Sequence, residues 1–195
     1  MTLLKTTLMT TVLALSMMAS AQAAPVYFKA PISFAGTGCP AGSIPPPAGV
    51  GTDTLSILFG TYDTGQNAAS GRPKTASCNF AIPMHVPQGY QVSLLTADWQ
   101  GYAEGKTRLK RRYFFPMSSI GTTPWKTSNF SSPGGVDYLK KDKMIHSSLT
   151  WSPCGKDVTF RINSRIHADT WNSYMAVDTL DMKNRVIFHL QWQTC

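Results

Sequence analysis

Residues 158–166 read Val-Thr-Phe-Arg-Ile-Asn-Ser-Arg-Ile. Apolar Val158, Phe160, Ile162 and Ile166 alternate with Thr159, Arg161, Asn163 and Arg165. That period of two puts one set on each face of a β-strand. The pattern recurs along the chain. Leu55, Ile57 and Phe59 alternate with Thr54 and Ser56. Cys78, Phe80, Ile82, Met84 and Val86 alternate with Asn79, Ala81 and His85. Pro83 interrupts this second run, which predicts an edge strand or a bulge because proline cannot donate to a ladder. Tyr90, Val92 and Leu94 begin a strand that runs toward Trp99, and Leu109, Tyr113 and Phe115 face away from Arg108, Lys110 and Arg112. Val186, Phe188, Leu190 and Trp192 alternate with Ile187, His189, Gln191 and Gln193. Six strands of this kind give sheets with one wet and one dry face. Two dry faces packed together predict an all-β fold, an antiparallel β-sandwich of immunoglobulin-like or jelly-roll-like type with long loops. No segment carries a helical stripe.

Around these strands the chain divides into three parts. Residues 1–23 read as a signal peptide: Lys5, a charge-free stretch from Thr6 to Ala19, then the cleavage site Ala21-Gln22-Ala23. The apolar run is shorter than the roughly 20 residues that span a bilayer, and no later segment is apolar enough to do so. Residues 24–52 form an irregular Pro/Gly-rich lead-in containing Pro45-Pro46-Pro47. Residues 53–195 form the sandwich domain, interrupted by surface loops expected at Asp63–Ser77 and Ser118–Val136. The protein is therefore expected to be secreted, whether to the periplasm or beyond the cell.

The formal charge is +8, with only 14% of residues charged, so the basic balance reflects few acids rather than many bases. A basic exported protein favours anionic partners: an acidic glycan, a lipid headgroup or a host-surface protein. Nucleic acid is disfavoured in that compartment. The four cysteines, Cys39, Cys78, Cys154 and Cys195, all lie beyond the signal peptide. Their even number and the oxidising compartment predict two disulfides, and the absence of C-x-x-C spacing disfavours zinc and redox motifs. Three connectivities are open. Cys78–Cys154 with Cys39–Cys195 is the expected pairing, since it would tie down both ends of the domain.

Several local motifs line up in order. Gly36-Thr37-Gly38-Cys39-Pro40 opens the domain, Gly101-Tyr102 follows Asp98-Trp99-Gln100, and Trp151-Ser152-Pro153-Cys154-Gly155 comes next. Asp178-Thr179-Leu180-Asp181 then precedes a strand ending in Trp192-Gln193-Thr194-Cys195. This order resembles a family of small secreted proteins catalogued as domain of unknown function 4360. The resemblance covers nearly the whole mature region and departs at Pro45–Pro47, where a valine-rich strand is expected. It implies export, disulfides and a β-rich fold, and no activity.

The first functional candidate is the basic run Lys106, Arg108, Lys110, Arg111 and Arg112, with Lys140, Lys141 and Lys143 as an extension. Alternation sets Arg108, Lys110 and Arg112 on one strand face about 7 Å apart, a row suited to the charges of a linear polymer. The bland alternative is a solvated face, or an edge protected by charge. The second candidate is a set of loop aromatics, Trp99, Tyr102, Trp125, Tyr138 and Trp171, able to stack on sugar rings or anchor an interface. Folding back onto the sandwich is the alternative. Asp178 and Asp181 are too few for calcium and suit turn capping better. His167 with Asp169 could form a base and its orienter, with Ser147 or Ser148 as nucleophile, yet there is no G-x-S-x-G, no H-E-x-x-H and no phosphate loop. No catalytic residue, metal or cofactor is therefore assigned. Asn129-Phe130-Ser131 fits a glycosylation acceptor, which matters in a eukaryotic source. The sequence points to a binding or effector protein for an anionic or glycan-bearing surface. A secreted hydrolase and a structural envelope protein are the competing classes.

Overall fold

The computed structural model describes residues 25–69, 71, 74–116, 124–144, 151–177 and 185–195. They form ten strands: β1 (Tyr27–Phe28), β2 (Ser33–Ala35), β3 (Thr54–Ile57), β4 (Asp63–Gly65), β5 (Thr75–His85), β6 (Tyr90–Phe114), β7 (Lys126–Lys143), β8 (Val158–Ala168), β9 (Tyr174–Val177) and β10 (Val186–Thr194). No helix occurs among the described residues. The strands make one antiparallel sheet with the order β1-β5-β8-β6-β10-β3, while β2 flanks β5, β7 flanks β6, and β9 joins β6 to β4.

That sheet curls into two layers. In a flat sheet β5 and β10 would lie about 14 Å apart, three strand spacings. Instead Phe80 of β5 meets Phe188 of β10 and Trp99 of β6 edge-on, each at 6.2 Å between ring centroids. The two ends of the path also approach: Gly51 N–H donates to Phe28 O at 2.7 Å and Phe28 N–H to Thr52 O at 2.9 Å. The alternating apolar residues supply the core between the layers, including Leu55, Ile57, Phe80, Ile82, Val92, Leu109, Ile162, Ile166 and Phe188. Burying each such side chain contributes about 1.5–3 kcal/mol.

The sandwich predicted from alternation is present, but its strands are longer than expected. Tyr90–Trp99 and Leu109–Phe115 are one continuous strand, so Gly101-Tyr102 is not a turn. The amino-terminal half of β6 pairs with β10 and its carboxy-terminal half with β8, which makes β6 a member of both layers. A bulge at Leu95, where the register to β10 shifts, explains the change of parity. Val92 and Leu94 point inward before it, Ala97 and Trp99 after it, and Leu95 is turned out to solvent. Most of the expected loop at Ser118–Val136 is also strand. Residues from Lys126 onward pair with β6, with Pro133–Gly135 absorbing a register shift. The lead-in likewise contains β1 and β2, and the expected Asp63–Ser77 loop begins in β4 and ends in β5. Pro83 is neither at a free edge nor in a bulge. Its carbonyl accepts from Lys29 N–H at 2.7 Å, so its missing N–H faces the gap in the flanking strand between β1 and β2.

The expected disulfide pairing is corrected: the bridges are Cys39–Cys78 and Cys154–Cys195. The cause is local strand pairing. β2 runs antiparallel to β5, so the chain leaving β2 stays beside Ser77 and Cys78, with Gly38 N–H donating to Ser77 O at 2.8 Å. Gly36 approaches Ser77 so closely, at positive φ, that a Cβ would strike the Ser77 carbonyl. The second bridge closes at the start of β6. Gly155 N–H donates to Tyr90 O, and Ser152 N–H to Val92 O, while Cys195 N–H donates to Gly89 O.

Candidate functional site

The carboxy-terminal half of β6 is central in its layer, flanked by β7 and β8, with β5 beyond β8. Thr107, Leu109, Arg111, Tyr113 and Phe115 are buried, so Arg108, Lys110, Arg112 and Phe114 face outward as alternation predicts. Register then assembles rows across the face. Asn129, Arg108, His167 and Thr75 form one; Thr127, Lys110, Arg165 and Ser77 the next; Arg112, Asn163 and Asn79 a third; Phe114, Arg161 and Ala81 a fourth. Directly opposed side chains lie about 5 Å apart and successive rows about 7 Å apart.

The face is strongly cationic. Lys110 stands directly opposite Arg165, a like-charged pair that costs stability when nothing lies between. Among the described residues Lys110, Arg112, Arg161 and Arg165 make no ion pair, and Arg108 is bound to Asp169 at 2.7 Å. Trp125 lies under this group, its ring 5.4 Å from Lys110 Nζ and 5.0 Å from the Arg112 guanidinium carbon. Arg112 also covers the Phe114 ring at 5.1 Å, and its Nε is buried with no hydrogen-bond acceptor. Lys106 is exposed where the row begins, beside the positive-φ Gly105 that a Cβ would drive into Ser173.

Arg111 belongs to the other side of the strand. It is buried against Asp142, donating from Nε at 2.6 Å and from an Nη at 2.8 Å. Tyr113 Oη donates to the same carboxylate at 2.6 Å and accepts from Trp99 Nε1 at 2.6 Å. Burial, reinforced by the Asp142 charge, holds the Tyr113 phenol well above its ordinary pKa, so it stays a donor.

The remaining candidates separate. Trp99 is fully buried, an interdigitating core ring rather than a loop aromatic, because Asp98-Trp99-Gln100 lies within β6. Tyr138 is buried with its hydroxyl on Ala176 O. Tyr102 lies 6.2 Å from Tyr174, away from the basic rows. Trp125 and Trp171 are exposed, Trp171 by 87%. Lys140 and Lys141 do not join the row: Lys141 pairs with Asp98 at 3.1 Å, ten residues before Arg108 along β6, and Lys140 covers Phe130, which stands opposite the inward-facing Thr107. His167 and Asp169 do meet, at 3.2 Å, and Thr75 Oγ1 lies 2.7 Å from His167 Nδ1. The same Asp169 oxygen also accepts from Arg108. Ser147, Ser148, Asp178 and Asp181 lie outside the described residues. Sequence reading left out Arg161 and Arg165 as binding candidates. Their outward direction was legible, but not their placement beside β6.

The profile of a family described as a domain of unknown function (DUF4360) matches residues 30–195. An uncharacterized secreted protein of Arthroderma benhamiae is 27% identical over 179 residues, covering 84% of this chain and 70% of that one. Among solved structures, TmCBM61 in complex with beta-1,4-galactotriose superposes at a TM-score of 0.31 and 6% identity, covering 85% of this chain and 89% of that one. A structure titled CBM4 structure and function superposes at 0.29 and 7% identity, covering 87% and 93%. Likenesses of this size carry no argument about a ligand.

Proposed function

The chain belongs to the DUF4360 family of domains of unknown function, and from that premise of a secreted, disulfide-bonded β-sandwich we propose that it is a binding protein for an anionic partner. The binding surface is the outer face of β5, β8 and the carboxy-terminal half of β6. The observation that carries this reading is the opposition of Lys110 and Arg165, flanked by Arg108, Arg112 and Arg161, with Asp169 bound to Arg108. A sheet that only needed solubility would gain more from alternating signs across the strands than from like charges. An anionic ligand relieves that repulsion, and the combined field steers it in, more weakly as salt screens it.

The test is retention on a heparin column. Arg108→Glu, Lys110→Glu and Arg112→Glu together remove three cations and add three anions on half-buried, outward-facing positions. The variant should elute well before the parent at equal salt, with its thermal midpoint near the parent's. Retention equal to the parent's would overturn the reading.

A further inference from the structure

We propose that the partner is an acidic polysaccharide laid across these rows, its charged groups on the cations and its hydroxyls on neutral side chains set between them. The inference rests on the anion-binding reading and adds the chemistry of the ligand. Its basis is the neutral part of the face. Asn79, Asn163, Ser77, Thr127 and Asn129 occupy the same rows and point the same way as the cations. Asn163 stands opposite Arg112, and Thr127 opposite Lys110. Amide and hydroxyl groups both donate and accept, as a ring carrying several hydroxyls requires. A ligand made only of phosphates would use the cations and leave these groups with water.

The aromatic residues favour the same occupant over a lipid surface. Proteins that lie on membranes push apolar side chains past their cations into the acyl region. Here Trp125 and Phe114 lie beneath Lys110 and Arg112. The rings stiffen the cations, and the exposed Trp125 ring is itself stacked against two of them rather than standing free. Arg112, braced on two rings with its Nε buried, presents a guanidinium of fixed orientation. That suits planar, bidentate recognition of a carboxylate or sulfate.

The experiment measures affinity at fixed salt for four probes: a heparin oligosaccharide, an oligogalacturonate, vesicles of phosphatidylglycerol and phosphatidylcholine, and a short DNA duplex. The oligosaccharides should bind more tightly than vesicles or duplex. Asn79→Ala with Asn163→Ala should weaken oligosaccharide binding about tenfold, the effect of losing two modest hydrogen bonds, and leave vesicle and duplex binding as they were. If that pair lowers the thermal midpoint, Thr127→Ala with Asn129→Ala on the exposed strand β7 makes the same test. Vesicles or duplex binding as tightly as the oligosaccharides would overturn the polysaccharide assignment. So would oligosaccharide affinity unmoved by the neutral substitutions but abolished by the triple charge reversal, and in that case the anion-binding reading would stand. Affinity for every probe unmoved by the triple reversal would overturn both.

Discussion

Arg111 and Asp142 offer a sharp test of which cations in the basic run hold the fold. Asp142→Ala leaves the Arg111 guanidinium buried, with only the Leu109 carbonyl and the Ser128 hydroxyl as acceptors. It also removes the acceptor of the Tyr113 hydroxyl that Trp99 Nε1 bonds. Removing one partner of a buried ion pair costs about 3–5 kcal/mol. In a domain of this size each kcal/mol moves the thermal midpoint by roughly 2–4 °C, so the expected drop is about 6–20 °C. Lys110→Ala, one position from Arg111 but facing out, should change stability by no more than about 0.5 kcal/mol. Arg111→Met combined with Asp142→Leu should recover much of the loss, because two apolar groups of similar volume need no solvation. Scanning calorimetry or urea unfolding reads all three. Equal midpoints for Asp142→Ala and Lys110→Ala would refute the division of this strand into a structural and a binding face.

Two further outcomes follow from the edges of the domain. Each disulfide spans a long loop, 39 residues for Cys39–Cys78 and 41 for Cys154–Cys195, so chain entropy assigns each about 4 kcal/mol. Cys39→Ser with Cys78→Ser should lower the midpoint by about 8–16 °C, and peptide mapping of the parent should recover 39 with 78 and 154 with 195. Recovery of a 78–154 peptide would contradict the pairing. Asp157 anchors the lead-in, accepting from Lys29 Nζ at 2.7 Å and Val86 N–H at 3.0 Å. The Lys29 hydrogen bond, with Val86 N–H and the Lys29 charge adding to it, holds the carboxyl below its ordinary 3.8. A depressed folded-state pKa contributes stability that is present above the unfolded value and lost as pH falls through the folded one. The small midpoint difference between the parent and Asp157→Asn should therefore be full at pH 6 and shrink steadily as pH falls below the ordinary carboxyl value of 3.8. A difference that persists at pH 2 would assign it to something other than this charge.

The strand faces were legible in the sequence because alternation is local. Leu109, Tyr113 and Phe115 are buried and Arg108, Lys110 and Arg112 are out, as period two requires. What failed is what depends on neighbours. Trp99 looked like a loop ring because a strand was expected to end there, whereas the Leu95 bulge lets one strand continue while switching the face it buries. The polar-looking 126–136 segment is an edge strand, and only its outer edge and one face meet water. Arg111 sits in a run of cations, and nothing local shows that Asp142, 31 residues on, is its partner. The disulfide pairing failed for the same reason, since it follows from β2 lying on β5 and β10 ending at the start of β6. Arg161 and Arg165 completed the basic face only once β8 was known to pair with β6.

The membership of β6 in both layers has a consequence for how the molecule yields. Between Trp99, deep in one layer, and Arg112, on the outside of the other, lie twelve residues of one strand, held by β9 and β7 and shifted in register once at Gly105. The candidate binding face is thus not a separately melting unit. To loosen it, the chain must also release the strand that β10 and the aromatic core grip, so local opening of the surface is governed by the global unfolding equilibrium. Many proteins place recognition on their least stable segments. Here the platform is as durable as the whole domain, a property suited to a surface that must keep its geometry without chaperones or energy supply.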